Sequence, residues 1–232
     1  MRCPAPNRSP TSPDEVVEIF LHAYRVGAFP MADIPEPARR DGTFPAARTI
    51  RWYSPNPRAI IELSGGGLHI GRTVARDIRR GRFTLTSDRA FERVIRSCAQ
   101  PGPTRGGPWL EETLINCYTL LHQRGHAHSI EAWSGSGMGF PAHASGASPE
   151  ITTAQPEAKD RAQNNRTPQL LGGIYGVSLG ACFFAESMFT AIDSGGTGAS
   201  SICLVTLWNH LRSSGSNCWM CRWPTSTRAA SA

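Results

Sequence analysis

The chain has 232 residues, 40% of them hydrophobic and 18% charged, which is enough for one good core and at most two small domains. No run of about 18 apolar residues occurs and the N-terminus lacks the apolar stretch of a signal peptide, so a cytoplasmic protein with no membrane contact is predicted. The net charge of +6 is carried almost wholly by arginine, because Lys159 is the only lysine; this suits contact with phosphates, and a GC-rich gene would give the same bias. Residues 1–11 read as disordered. Ser12-Pro13-Asp14-Glu15 then supplies an N-cap, a proline at the first helical position and a capping-box glutamate. A helix is predicted from there to about Gly27, with Val16, Phe20, Ala23 and Tyr24 on one stripe.

A Pro- and Arg-rich loop follows to about residue 48, and then RTIRWYSPNPRAIIEL combines a Ser-Pro-Asn-Pro turn with a short apolar strand from Ala59 to Leu63. A helix over 71–80 would turn Val74 and Ile78 inward and Arg72, Arg76, Arg79 and Arg80 outward, where they could meet RNA or simply be solvated. Helices are also predicted at 88–99, with Phe91, Val94, Ile95 and Cys98 on one face, and at 110–124, with Leu110, Leu114, Cys117 and Leu121. AHSIEAW alternates like a half-buried strand, and LLGGIYGVSLGACFFAESMF is long and glycine-punctuated enough for a β-hairpin. Between them Ser134 to Thr167 has no structural period and reads as a low-complexity insertion in a hairpin loop. A last helix at 199–212 would bury Ile202, Val205, Trp208 and Leu211. Strands and helices mixed in this order predict an α+β domain.

Glycine-rich phosphate loops of the dinucleotide or nucleoside-triphosphate kind are absent, which removes support for those ligands. The seven cysteines are an odd number without framework spacing, so reduced thiols are predicted. His126 and His128 lack a partnering ligand set and read as structural. Glu186 is different, because a carboxylate inside the apolar run ACFFAESMF must face a cavity, be paired, or lie at a strand end on the surface.

The strings AYRVGAFPMAD, RWYSPNPRAII, LHIGRTVARDIRRGRFTLTSDRAFERVIRSCA, PWLEETLINCYTLLHQRGHAHSIEAW and LLGGIYGVSLGACFFAESMF together resemble the leucyl/phenylalanyl-tRNA–protein transferase family, in family order over residues 12–212 apart from the insertion. The resemblance implies an aminoacyltransferase that moves leucine, phenylalanine or methionine from an aminoacyl-tRNA to the N-terminal Arg or Lys of an acceptor protein, marking that protein for degradation. It implies a small N-terminal α/β region (12–68) and a catalytic domain (69–212) similar to the acetyltransferase (GNAT) superfamily, a mixed sheet with flanking helices. It implies no metal and no cofactor, since the ester is already activated and the amine needs positioning, proton removal and oxyanion stabilisation. The residues it places in the aminoacyl pocket are Tyr24, Met31, Trp109, Phe183 and Met188, with Glu186 at the reacting group; Met31 stands where some members carry tryptophan. Two other readings of this fold are a CoA-dependent acyltransferase, which lacks its pyrophosphate loop here, and a non-catalytic tRNA- or RNA-binding protein.

The resemblance also implies an Asp-x-Gln strand directly after the last helix, yet no Asp or Gln follows Asp193. That place holds SNCWMCRWPTSTRAASA, whose Cys218 and Cys221 alone would suggest metal or redox work. Trp and Met each have one codon, so Trp219-Met220-Cys221 is TGG-ATG-TGY, which read from the third base of the tryptophan codon gives Asp-Val. A permitted continuation gives Gln at position 221, so residues 213–232 are predicted to be an out-of-frame tail.

Overall fold

The computed structural model describes residues 2–3, 12–32, 50–56, 60–63, 68–100, 110–135, 167–216 and 218–221. Residues 136–166 of the insertion and Trp109 lie outside them. Helix α1 (Pro13–Arg25) begins where the capping signal puts it: the Ser12 hydroxyl accepts from the Glu15 N–H at 3.2 Å and Pro13 occupies the first turn. A small sheet holds β2 (Phe29–Ala32) and β3 (Ile50–Tyr53), antiparallel, with a two-residue strand β1 (Arg2–Cys3) against the other edge of β3.

The main sheet contains β4 (Ile60–Glu62), β5 (Thr84–Ser87), β6 (Ala127–Trp133), β7 (Leu170–Leu179), β8 (Cys182–Thr190) and β9 (Cys218–Cys221), in the order β4-β9-β8-β7-β6-β5. All its neighbours are antiparallel except β8 and β9, which run parallel. The molecule is therefore α+β, with helices on both faces of the sheet. On one face α1, α3 (Phe91–Ala99) and α4 (Glu112–Gln123) pack with Trp52, Tyr175, Val177 and Phe184. On the other, α5 (Ala199–Ser213) packs over Ile130, Leu171, Ile174 and Phe183, with Val74 and Ile78 of α2 (Arg72–Arg79) alongside.

Strand β7 is buried on both sides from Leu170 to Val177, which explains its unbroken apolar run. Its glycines let the layers close: a Cβ on Gly172 would lie 2.6 Å from the Ala199 Cβ at the start of α5. Helix α3 starts at Phe91, later than its periodicity suggests, because Asp88 sits in the left-handed region at φ 58° and ends the extended segment with a turn. Cys98, Cys117 and Cys203 are free, but Cys182 is disulfide-bonded, which corrects the expectation of uniformly reduced thiols. No helix among the described residues is long and apolar enough to cross a membrane.

Candidate active site

Glu186 is the extra residue of a β-bulge. Ala185 opposes Gly176 and Ser187 opposes Tyr175, so Glu186 is inserted between the two pairs, and its side chain lies on the Phe184 face, toward α1 and α4. There it is 5% exposed. The Tyr24 hydroxyl of α1 donates to one carboxylate oxygen at 2.7 Å, the Tyr118 hydroxyl of α4 donates to the other at 3.2 Å, and the two hydroxyls are 2.9 Å apart. Both tyrosines are buried, packed edge-on against Phe184 and Phe20 respectively. Burial, followed by the neighbouring Glu186 charge, pushes the Tyr24 phenol well above its ordinary range, so Tyr24 stays a hydrogen-bond donor at neutral pH. Of the sequence-level alternatives for Glu186, pairing is the one realised.

Tyr118 was not among the expected site residues. The signal was present but small: the buried face of α4 runs through Leu114, Ile115, Tyr118 and Leu121, one position round from a stripe through Cys117. A tyrosine on such a face must find a polar partner.

The expected pocket residues do not share one cavity. Tyr24 joins Glu186 on the α1 face, and Met31 packs in β2 against the same core. Phe183 faces the other way, beneath α5. Met188 pairs with Ile174 and is 41% exposed. Strand alternation accounts for the split, because Phe183 and Phe184 must point to opposite faces. Beneath α5 lies an open cavity of about 440 Å³, floored by Ile130, Ile174, Phe183, Leu207 and Leu211. Its rim carries Asp88, His128 and Ser129.

The rim is tied together through Asp88, whose oxygens accept from the Ser129 N–H and bond His128 Nδ1, each at 2.8 Å. That bond raises the His128 imidazole above its usual range, and the Gly125 carbonyl adds to the effect. Burial pushes the Asp88 carboxyl up, but His128 and the Ser129 N–H outweigh it and hold the group below its usual range. His126 and His128 thus act apart, with His128 in a structural ion pair. Nearby Glu131 is fully buried and accepts from the Thr86 and Ser129 hydroxyls.

Arg72, Arg76 and Arg79 are exposed on α2 and Arg80 is exposed at its C-cap; Arg76 also bonds Asp77 at 3.3 Å. The neighbouring Arg82 reaches from Asp77 to the carbonyls of Gly195 and Thr197, pinning the turn before α5.

The mixed sheet thus carries a buried, tyrosine-held glutamate on one face and an open cavity on the other. The family profile described as leucyl/phenylalanyl-tRNA protein transferase matches residues 60–139 and 162–230, and the chain belongs to that family. The interval between the matched stretches falls within the low-complexity segment, and the second stretch continues through β9. The chain is 34% identical over 194 residues to a leucyl/phenylalanyl-tRNA–protein transferase of Syntrophotalea carbinolica, covering 83% of this chain and 62% of that protein. The protein of the same name from Alcanivorax borkumensis is 35% identical over 204 residues, 88% of this chain and 62% of its own. That of Anaeromyxobacter sp. strain K is 35% identical over 199 residues, 85% and 64%. The chain therefore spans less than two thirds of the length of these relatives.

Proposed function

We propose that this protein transfers leucine, phenylalanine or methionine from an aminoacyl-tRNA to the N-terminal Arg or Lys of acceptor proteins in the cytoplasm, marking them for degradation. The observation that carries this reading is Glu186, buried in the segment that most resembles the family and held by two tyrosines. In the reaction the acceptor's α-amine attacks the ester carbonyl. A C–N bond forms, the ester C–O bond breaks, and the terminal ribose hydroxyl leaves with a proton. Glu186 would receive or relay the amine's proton, and Tyr24 and Tyr118 would fix its oxygens. Selection of an apolar aminoacyl side chain would need a hydrophobic pocket, where each methylene is worth about 1–3 kcal/mol of discrimination. Arg72, Arg76, Arg79 and Arg80 would position tRNA through its phosphates rather than its sequence. In this reading the main sheet and its helices form a GNAT-like catalytic domain, with residues 12–68 as a small N-terminal region.

Strand β9 bears on whether this form turns over. Its parallel register sets position 219 beside Phe183 and position 221 beside Ala185. These are the positions where the shifted reading frame gives Asp and Gln, next to the floor of the cavity. The chain with Trp219 and Cys221 is expected to bind aminoacyl-tRNA and to transfer weakly or not at all, which also accommodates the reading as a tRNA binder. Radiolabelled leucine transfer onto a peptide with N-terminal Arg tests both ideas. The double variant Trp219→Asp, Cys221→Gln is expected to exceed the starting chain by at least about 100-fold, the range of proton-transfer catalysis. Full turnover by the starting chain would refute the impairment, and inactivity of both would count against the transferase reading.

A further inference from the structure

Arg89, Arg93 and Arg96 are exposed at the start of α3 and along it, and they are not equivalent. Arg96 has its charge matched, since it bonds Glu92 at 3.0 Å and grips both oxygens of Glu112 at 3.0 and 2.8 Å. Among the described residues neither Arg89 nor Arg93 makes an ion pair. Arg93 instead lies over the Trp133 ring, 5.0 Å from its centroid, a contact that restricts the side chain without neutralising it. The fully buried Glu131 holds both parts of this arrangement. It accepts from the Arg89 and Ala90 N–H groups at 3.4 and 3.5 Å and from the Thr86 hydroxyl, whose oxygen accepts in turn from Trp133 Nε1–H at 2.8 Å. Unmatched positive charge is thereby presented on an ordered base, which lowers the ordering cost of binding.

The position of these residues points to the partner. Strand β5 is the last strand of the main sheet, and it runs from Thr84, shortly after Arg80, to Ser87, shortly before Arg89. Helix α2 lies on the α5 side of that edge and α3 on the opposite side. Thr84 pairs with Trp133, so the two backbones are about 5 Å apart where Arg93 is held. Resting on the reading of α2 as a tRNA contact, we propose that Arg89 and Arg93 form a second contact with the same RNA, each taking a backbone phosphate on the α3 side of β5. An RNA backbone passing the sheet edge then meets arginines from both faces. Forked guanidinium donors suit phosphate oxygens, and each phosphate neutralised releases counterions. Arg96 offers no such gain, because it would first have to leave two carboxylates.

The test uses an uncharged leucine tRNA, fluorescently labelled and titrated against the full chain over a range of KCl concentrations, so that binding is read without turnover. Arg89→Ala and Arg93→Ala are each expected to reduce the slope of log affinity against log salt by about one, and Arg96→Ala to leave it unchanged. Arg93→Lys keeps the charge and should keep the slope. A loss equal to that of Arg93→Ala would mean that Arg93 acts by packing on Trp133, and overturns the proposal. Unchanged slopes in Arg89→Ala and Arg93→Ala, beside a reduced one in Arg79→Ala, also overturn it and leave the α2 contact standing. If the starting chain shows no salt-dependent tRNA binding, the reading it rests on fails.

Discussion

In the tyrosine pair around Glu186 the two hydroxyls lie within hydrogen-bond distance of each other as well as of the carboxylate, so two hydroxyl protons serve three contacts. Removing the Tyr24 hydroxyl takes a donor from a buried carboxylate and leaves it one tyrosine, so Tyr24→Phe is expected to cost about 1–3 kcal/mol, read from the denaturant midpoint. Tyr118→Phe should act on the same group. The double variant should therefore depart from additivity by about 0.5 kcal/mol or more, and strict additivity would mean that the hydroxyls act independently. The Asp88–His128 pair makes a pH prediction. His128 has a raised folded value, so its stabilisation is fully present below its unfolded value of about 6.5 and is lost as pH rises through the folded value. Asp88 has a lowered folded value, so its contribution is present above about pH 4 and is lost as pH falls through the folded value. Asp88→Ala should thus lower Tm more at pH 5–6 than at pH 9; an equal loss at both would remove the ion pair from the account.

Helices cover both faces of the sheet, so β7 is buried on both sides from Leu170 to Val177. Gly172 lies against the start of α5, with a hypothetical Cβ 2.6 Å from Ala199 and 3.0 Å from the Ser200 nitrogen. Gly172→Ala is expected to push α5 outward and cost about 1–3 kcal/mol, the usual penalty for overpacking, measurable by thermal or chemical unfolding. Most elements were readable from the chain because their signals are local: the Ser12 cap, the alternation of AHSIEAW, and the glycine-broken hairpin of β7 and β8. The start of α3 was misplaced because the left-handed turn at Asp88 is stabilised by a bond to Ser129, 41 residues away.

The whole molecule carries its excess positive charge as arginine, and α2 displays several of these residues on an exposed face. If they meet tRNA phosphates, affinity should fall linearly on a log–log plot against salt. Each of Arg79→Ala and Arg80→Ala should then reduce the slope by about one, in filter-binding or fluorescence titrations. A slope that does not change would place tRNA elsewhere on the surface.

From the chain alone came the helices and hairpin, the arginine-borne charge, the family resemblance and the singling out of Glu186, because capping, periodicity and an acid in an apolar run are written within a few residues. Tertiary structure alone decided that Tyr118 is a second hydroxyl donor to Glu186, that Phe183 lies on the opposite face from Tyr24, and that β9 enters the sheet between β4 and β8. Each of these depends on a bulge, a strand face or a strand order. Such features are fixed only when both faces of the sheet are covered at once, by residues far apart in the chain.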